Sequence, residues 1–487
     1  MVAAPTLLSL ALLLSAVSAQ STPTCPPRVR KSWNRYSVPE KATYKKAVAK
    51  AMDTPLYERF ISMHSEQMSN TEAHGTCVFL FWHRKFLLGY ENLLRSMGSE
   101  FACVTLPYYD YVQDNVAYGA KKCSSIESCS AILRDMGGSA GVDKSIPIGR
   151  YSVAGRCVSN EPVNHFCEST ASCTKCVPRG PWSTTTFNPD LGFSSIKNQV
   201  FGGKDIAETT RLIESSPHNS MHGTLAGAMN NVFISPTEPV FYSHHAMVDA
   251  LHTIYHKCRV QGLGLSPAQK QVHAMSFAGC RANGAPITAT SAITMRAVVN
   301  GKTVAVDSES SVQAFFKGLP SAYYGLTDAN DLGSNSYAYE FTGLLGDLYT
   351  NCQNSGTPRA GTRRLVDDAN ATTTTTTTVA NTVVPIADNS AAQALLNWRL
   401  DVFAAAPRDS VDADVEADII KMRTLYYENC LDGVDDYSSS FKALWKVGSS
   451  PSTKVLNAVY DQSSPIRIPD WQSINFKHFG CSGEPTK

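Results

Sequence analysis

Six histidines fall in two groups of three along this chain, His64, His74 and His83, then His218, His222 and His245, most of them on apolar stripes of helical period. An imidazole on the buried side of a helix needs a polar partner, and three that share an interior can hold one transition-metal ion with positions left open. The pattern asks for a mainly α fold whose helices turn their histidines toward a common interior.

Each helix can be read from its own signals. Thr54-Pro55 has the form of an N-cap followed by proline at the first helical position, and Leu56, Phe60 and His64 follow at steps of four. Phe79, His83, Phe86, Tyr90, Leu94 and Met97 recur on one face, with His74 on the connection before them. Ser216-Pro217 repeats the start signal, and His218 and His222 stack four residues apart. After the turn Ser235-Pro236-Thr237-Glu238-Pro239, a last stripe carries Phe241, His245, Val248 and Tyr255. An antiparallel four-helix bundle is the expected core.

The other histidines sort by geometry. His244 adjoins His245, and neighbouring helical residues point about 100° apart, so the two are not expected to face one ion. His252 lies on nearly the same face as His245 but roughly 10 Å further along the axis, and reads as core, as does His256. His165, His273 and His478 have no companions at ligand spacing. No carboxylate occupies the six positions, which argues against a di-iron bundle built on Glu-x-x-His.

The stretches His74-Gly75-Thr76, Phe81-Trp82-His83-Arg84, Pro217-His218-Asn219-Ser220-Met221-His222-Gly223 and Pro239-Val240-Phe241-Tyr242-Ser243-His244-His245-Ala246-Met247-Val248-Asp249 resemble the tyrosinase family of type-3 copper proteins. The resemblance covers about residues 28 to 350, with secreted, cysteine-rich oomycete members the nearest kind. It implies two copper ions, one on His64, His74 and His83 and one on His218, His222 and His245, with O2 as co-substrate. It further implies a phenol oxidase (tyrosinase) that hydroxylates monophenols and oxidises o-diphenols to o-quinones, feeding melanin-like pigment or crosslinking. A catechol oxidase with diphenolase activity only, a dioxygen carrier, and a non-enzymatic wall protein with a relic site remain as alternatives. The substrate would be a small phenol or catechol, with tyrosyl side chains as a further form.

In the family an asparagine in the position of Asn219 helps to orient a water near the second copper, together with a glutamate. Glu214 is the first candidate here and Glu208 the second. Several relatives carry a cysteine two residues before the second ligand, linked to it by a thioether; this chain has Glu72 there, so no such crosslink is expected, and Cys77 reads as a disulfide partner or buried thiol. Arg84 is expected to pair with Asp249, and Tyr337-Ala338-Tyr339 to pack against Arg30. Val232 is a candidate guard of the pocket mouth.

The remaining boundaries follow from composition. The apolar run Leu7 to Leu14 and the small-residue site Val17-Ser18-Ala19 read as a signal peptide over residues 1–19, giving a secreted protein, with wall association as an option. Secretion suits 14 cysteines, six of which crowd an insertion over about residues 114–186, read as disulfide-stapled loops. A net charge of +1 and the lack of a basic stripe argue against nucleic acid, and no stretch reads as a membrane span. The catalytic domain is expected over 20–355 and a threonine-rich linker over 356–388, with Arg363-Arg364 as a cleavage point and Asn370 as a glycosylation sequon. Residues 389–487 read as a separate small helical unit, with Leu396, Leu400 and Phe403 on one stripe, Val415, Ile419, Met422 and Tyr426 on another, and Cys430 and Cys481 as a staple. A covering role for this tail is an expectation from relatives. Oligomeric state is left open.

Overall fold

The computed structural model describes residues 25–169, 173–357, 379–386 and 390–484. The signal-peptide stretch, Arg363-Arg364, Asn370 and the threonine run lie outside the described residues. The core is helical. Thr54 caps the helix Pro55–Ser65 by accepting from Leu56 N, which starts the His64 helix at the expected residue. A short helix Gln67–Ala73, not foreseen from periodicity, ends on His74. The long helices Phe79–Ser96 and Val240–Tyr255 carry His83 and His245 and are buried along most or all of their length. Ser216 does not cap the third histidine segment: its extended backbone (φ −169°, ψ 128°) forms a kink between Ile206–Ile213 and the helix Asn219–Leu225 that follows His218.

A buried ionic hub locks these helices in register. Asp249, one turn beyond His245, accepts from Arg84 Nε at 2.6 Å, Arg30 Nη1 at 3.1 Å and the hydroxyls of Tyr337 and Tyr339, each at 2.6 Å. Arg30 also donates to Glu91 at 2.9 Å and lies over the Tyr337 ring at 3.8 Å. Arg84 adjoins His83, so the hub fixes the His83 and His245 helices against each other. Removing one partner of such a pair strands a buried charge, at a cost of about 3–5 kcal/mol.

Arg28–Arg30 pairs in parallel with Tyr337–Thr342, which pairs in parallel with Thr382–Val384. The third strand falls inside the stretch read as a linker, so that stretch returns to the core before the tail begins. The cysteine-rich insertion is an antiparallel sheet of Val142–Ile148, Tyr151–Val158 and Val177–Arg179 rather than loops alone. Cys123–Cys129, Cys157–Cys176 and Cys167–Cys173 staple it. Arg179 anchors the insertion by a buried two-point pair with Glu238, at 2.7 and 2.8 Å, in the turn before the His245 helix. Cys77 bonds Cys280, which settles its two readings, and Cys25–Cys103, Cys258–Cys352 and Cys430–Cys481 complete the pairing of the cysteines. No helix among the described residues is long and apolar enough to cross a membrane.

The tail is helical, as expected, but it does not stand apart. Trp398, Val402, Ile419, Met422, Tyr426 and Tyr427 belong to the same apolar cluster as the histidine helices. Tyr427 donates to Asn115 Oδ1 at 2.7 Å, and Lys197 and Arg399 share Glu416 across the junction. Packing follows Leu395, Trp398 and Val402, while Leu400, placed on the buried stripe from its spacing, is 38% exposed.

Candidate metal centre

The first triad is held by backbone carbonyls. His83 Nδ1 lies 2.9 Å from Phe79 O and His74 Nδ1 3.1 Å from Asn70 O, in each case the carbonyl four residues back. His64 Nδ1 is 3.4 Å from Phe233 O across the interior. A ring nitrogen facing a carbonyl carries the proton, so each imidazole is set with its Nε2 lone pair unspent. Those three Nε2 atoms are buried without a protein partner, and one ligand atom from each ring lies within 4.8 Å of the others. Asn70 ties the parts together, its Nδ2 donating to His64 O at 2.9 Å and Val232 O at 3.1 Å.

In the second group His222 Nδ1 lies 2.8 Å from Met229 O and His218 Nδ1 2.9 Å from Asn219 Oδ1. His245 Nε2 is 3.4 Å from His222 Nε2. Nitrogens about 2.0 Å from one tetrahedral ion sit about 3.3 Å apart, so these two are spaced as ligands of one ion. The groups adjoin through the His83 and His245 rings, stacked at 4.3 Å. His244 is nearer than its helix offset suggested: its ring lies parallel to His218 at 5.4 Å, and it can bring a nitrogen within 4.8 Å of those of His218, His222 and His245. The offset separates backbone directions, but a ring reaches far enough to close the gap. His252 packs under Phe81 at 5.0 Å and joins neither group.

Burial drives the pKa of all six histidines down, that of His74 to about 4, and the neighbouring imidazoles add to the shift for the other five. They are therefore neutral at pH 7, the form that binds metal. Phe79, 4.6 Å from His218, and Phe241, 4.1 Å from His245, line the interior with apolar surface. Buried imidazoles with unspent Nε2 atoms are costly unless an ion takes the lone pairs, and an all-imidazole donor set suits copper.

The two candidate glutamates part company. Glu214 is buried and accepts from Gly75 N at 2.6 Å, next to His74, and burial pushes its carboxyl up to about 8. Glu208 is half-buried in the first turn of Ile206–Ile213, accepting from Lys204 N at 3.1 Å with Arg211 at 3.7 Å, and is not brought to the imidazoles. Glu72 anchors the short helix Gln67–Ala73 by accepting from Thr294 N at 2.7 Å and from the Tyr323 hydroxyl. Val232 is buried, its carbonyl taken by Asn70.

One residue at the centre escaped the sequence reading. Trp445 ends the tail helix Ser439–Trp445, and its ring lies 4.6 Å from His222, 5.6 Å from His218 and 5.7 Å from His74. Its indole N–H donates to Asn230 O at 2.9 Å, and Phe441, one turn back, stacks on it at 5.0 Å. The only local trace is the aromatic pair at a spacing of four in a short tail helix.

Residues 55–257 match the common central domain of tyrosinase. A tyrosinase of Hahella sp. (strain CCB-MM4) is 26% identical over 231 residues, covering 46% of this chain and 46% of that protein. A tyrosinase-like protein of Diaporthe leptostromiformis is 29% identical over 251 residues, 46% of this chain and 62% of its own length. The chain thus spans about half the length of these relatives. A polyphenol oxidase variant of Thermothelomyces thermophila superposes with a TM-score of 0.33 at 21% identity, over 50% of this chain and 72% of that one. All six histidines lie within the matched stretch, so the part of the chain that builds this centre is similar to the common central domain of tyrosinase, a binuclear copper family that uses O2.

Proposed function

We propose that His64, His74 and His83 hold one copper ion, that His218, His222 and His245 hold the other, and that the protein is a secreted phenol oxidase acting on monophenols and o-diphenols. The observation that carries this reading is the convergence of two neutral imidazole triads, five of whose six Nδ1 atoms are already engaged so that Nε2 faces inward. Bound copper supplies the redox change and the activation of O2. The chain supplies the rest. Phe79 and Phe241 keep the interior apolar, and the carbonyls of Asn70, Phe79, Phe233 and Met229 hold the rings in place.

For a monophenol the hydroxyl proton must leave before the oxygen can bind metal. Glu214 in its ionised form, which a nearby metal cation would favour, is the acceptor in this reading: Gly75 N occupies its Oε1, leaving Oε2 for the proton, directly or through a water shared with Asn219 Nδ2. General-base help of this kind is worth ~10²–10⁴ in rate. Trp445 stands where a substrate ring would meet His74, His218 and His222, so the intact chain is held latent by its tail. Seven disulfides and a leader-like N-terminal run support secretion.

Copper per chain and O2 uptake with tyramine and, separately, with catechol test the reading. Two coppers with uptake on both substrates agree with it. Uptake on catechol alone restricts it to a diphenol oxidase, and reversible O2 binding without turnover replaces it with a carrier.

A further inference from the structure

Arg423 carries a charge that the fold leaves unanswered. It stands in the tail helix Asp412–Cys430, with its guanidinium carbon 4.8 Å from the Phe479 ring, 4.9 Å from Tyr426, 5.2 Å from Tyr427 and 5.8 Å from Trp398. Aromatic faces offset part of the cost of taking a cation out of water, but they bring no net negative charge. Among the described residues no carboxylate pairs with it, and its Nη1 is buried without a hydrogen-bond partner. The acids that could have served are spent elsewhere. Glu416, seven residues back on the same helix, holds Lys197 and Arg399, Asp401 holds Lys477 and His478, and Asp190 accepts from Ser220 and Ser452.

The guanidinium borders a cavity of about 170 Å³ at the seam between the core helix Tyr111–Gly119 and the tail helices Ser390–Ala405, Asp412–Cys430 and Trp471–Phe479. Gly119 keeps room for it, since a Cβ there would meet Arg423 Nη2 at 2.6 Å. Val116, Leu395 and Phe479 give apolar walls, and Tyr426 spends its hydroxyl on Gly119 O at 2.9 Å. Lys121 and His478 add basic groups to the lining, and no acid lines it. A basic end on an apolar chamber calls for an anion with an apolar body. A cavity of about 150 Å³ holds one benzene ring, so this one has room for about six carbons.

We propose that this seam cavity binds a small monocarboxylate with an apolar body, its carboxylate on Arg423 and Lys121 and its body against Val116, Leu395 and Phe479. Lys121 belongs to the core and Arg423 to the tail, so the site exists only while the two are joined, and its ligand ties them together. None of the six paired histidines lines it, which makes it separate from the metal centre.

The test uses the full-length protein and two probes of one shape, cyclopentanecarboxylate and the uncharged cyclopentanecarboxamide, read by calorimetry and by the rise in Tm. The wild-type protein should bind the carboxylate ~10-fold or more tightly than the amide. Arg423→Gln should weaken the carboxylate ~10- to 100-fold, the value of a charged hydrogen-bonded contact, and leave the amide unchanged. Lys121→Ala, at the exposed edge, should weaken it only ~3-fold. Ala394→Leu fills the cavity and keeps Arg423, so it should lose binding, and it serves should Arg423→Gln fold poorly. Copper-loaded and copper-free protein should bind alike. No binding by the wild type, equal affinities for the two probes, or a carboxylate affinity untouched in folded Arg423→Gln or Ala394→Leu would overturn the proposal. So would inorganic phosphate binding as tightly as the carboxylate, because the apolar walls would then add nothing, or binding that depends on copper, because the ligand would then sit at the histidine centre.

Discussion

In the first triad every Nδ1 faces a backbone carbonyl, whereas in the second the acceptors are one carbonyl, one side-chain amide and, for His245, no group within hydrogen-bonding geometry. Backbone acceptors cannot be lost by substitution, and those of His74 and His83 lie four residues back in the same segment, so most of the first group is fixed locally, with Phe233 O as its one distant acceptor. The second depends on Asn219 and is overlaid by Trp445, whose ring reaches the first group only at His74. It is the half of the centre that other parts of the chain can adjust.

The largest effect should come from removing a ligand. His245→Ala should leave one copper per chain and abolish O2 uptake, a loss beyond the ~10–100-fold that outer partners of a metal site cost. His252→Ala, seven residues on along the same helix, should keep both coppers. Metal analysis with an oxygen electrode checks the pair, and two coppers in His245→Ala would break the division into triads.

Next comes Asn219→Ala, which takes away the only side-chain acceptor among the imidazole partners. Copper affinity at the second site should fall ~10–100-fold with the first site unchanged, so a titration that is a single step in the wild type should split into two. A uniform loss at both sites would mean that the two triads do not differ in how their imidazoles are held. Trp445→Gly should act in the opposite sense, raising catechol oxidation by the full-length chain by ~10-fold or more as the competent state gains population. Truncation near residue 357 is a poorer probe, because it would strip Trp398, Ile419 and Tyr426 from the shared core and unfold what it means to open.

These contrasts also mark what could be read in advance. His64, His83, His218, His222 and His245 were legible because a helix repeats every 3.6 residues and each stands in register with apolar neighbours. The Arg84–Asp249 pair and the Arg30–Tyr337 contact followed from motif resemblance and are present in the structure. Trp445 was not legible, since it meets His222 across more than two hundred residues of sequence, and such contacts leave no local periodicity. The strand Thr382–Val384 was hidden for a related reason: three residues next to a threonine run carry no strand signal until Tyr337–Thr342 offers them an edge. Glu214 and Glu208 could not be told apart because the kink at Ser216, which carries Glu214 inward, depends on tertiary packing.

The smallest effect concerns that glutamate. In the copper-free protein burial holds the Glu214 carboxyl at about 8, against an ordinary value near 4.5. Between those values the unfolded chain has lost the proton and the folded one keeps it, so the unfolded state binds fewer protons and stability falls as pH rises through this window. The buried histidines have the opposite sign: their folded pKa values are depressed, so stability is lost as pH drops below about 6.5. Glu214→Gln keeps an acceptor for Gly75 N and cannot ionise. Relative to wild type it should therefore gain stability between pH 5 and pH 8, on the order of 1 kcal/mol, in urea unfolding of the copper-free protein. The histidine contribution is common to both proteins and cancels in the difference. A flat difference across that range would mean that water reaches the carboxyl, and with it the acceptor that a monophenol needs would have no raised affinity for the proton.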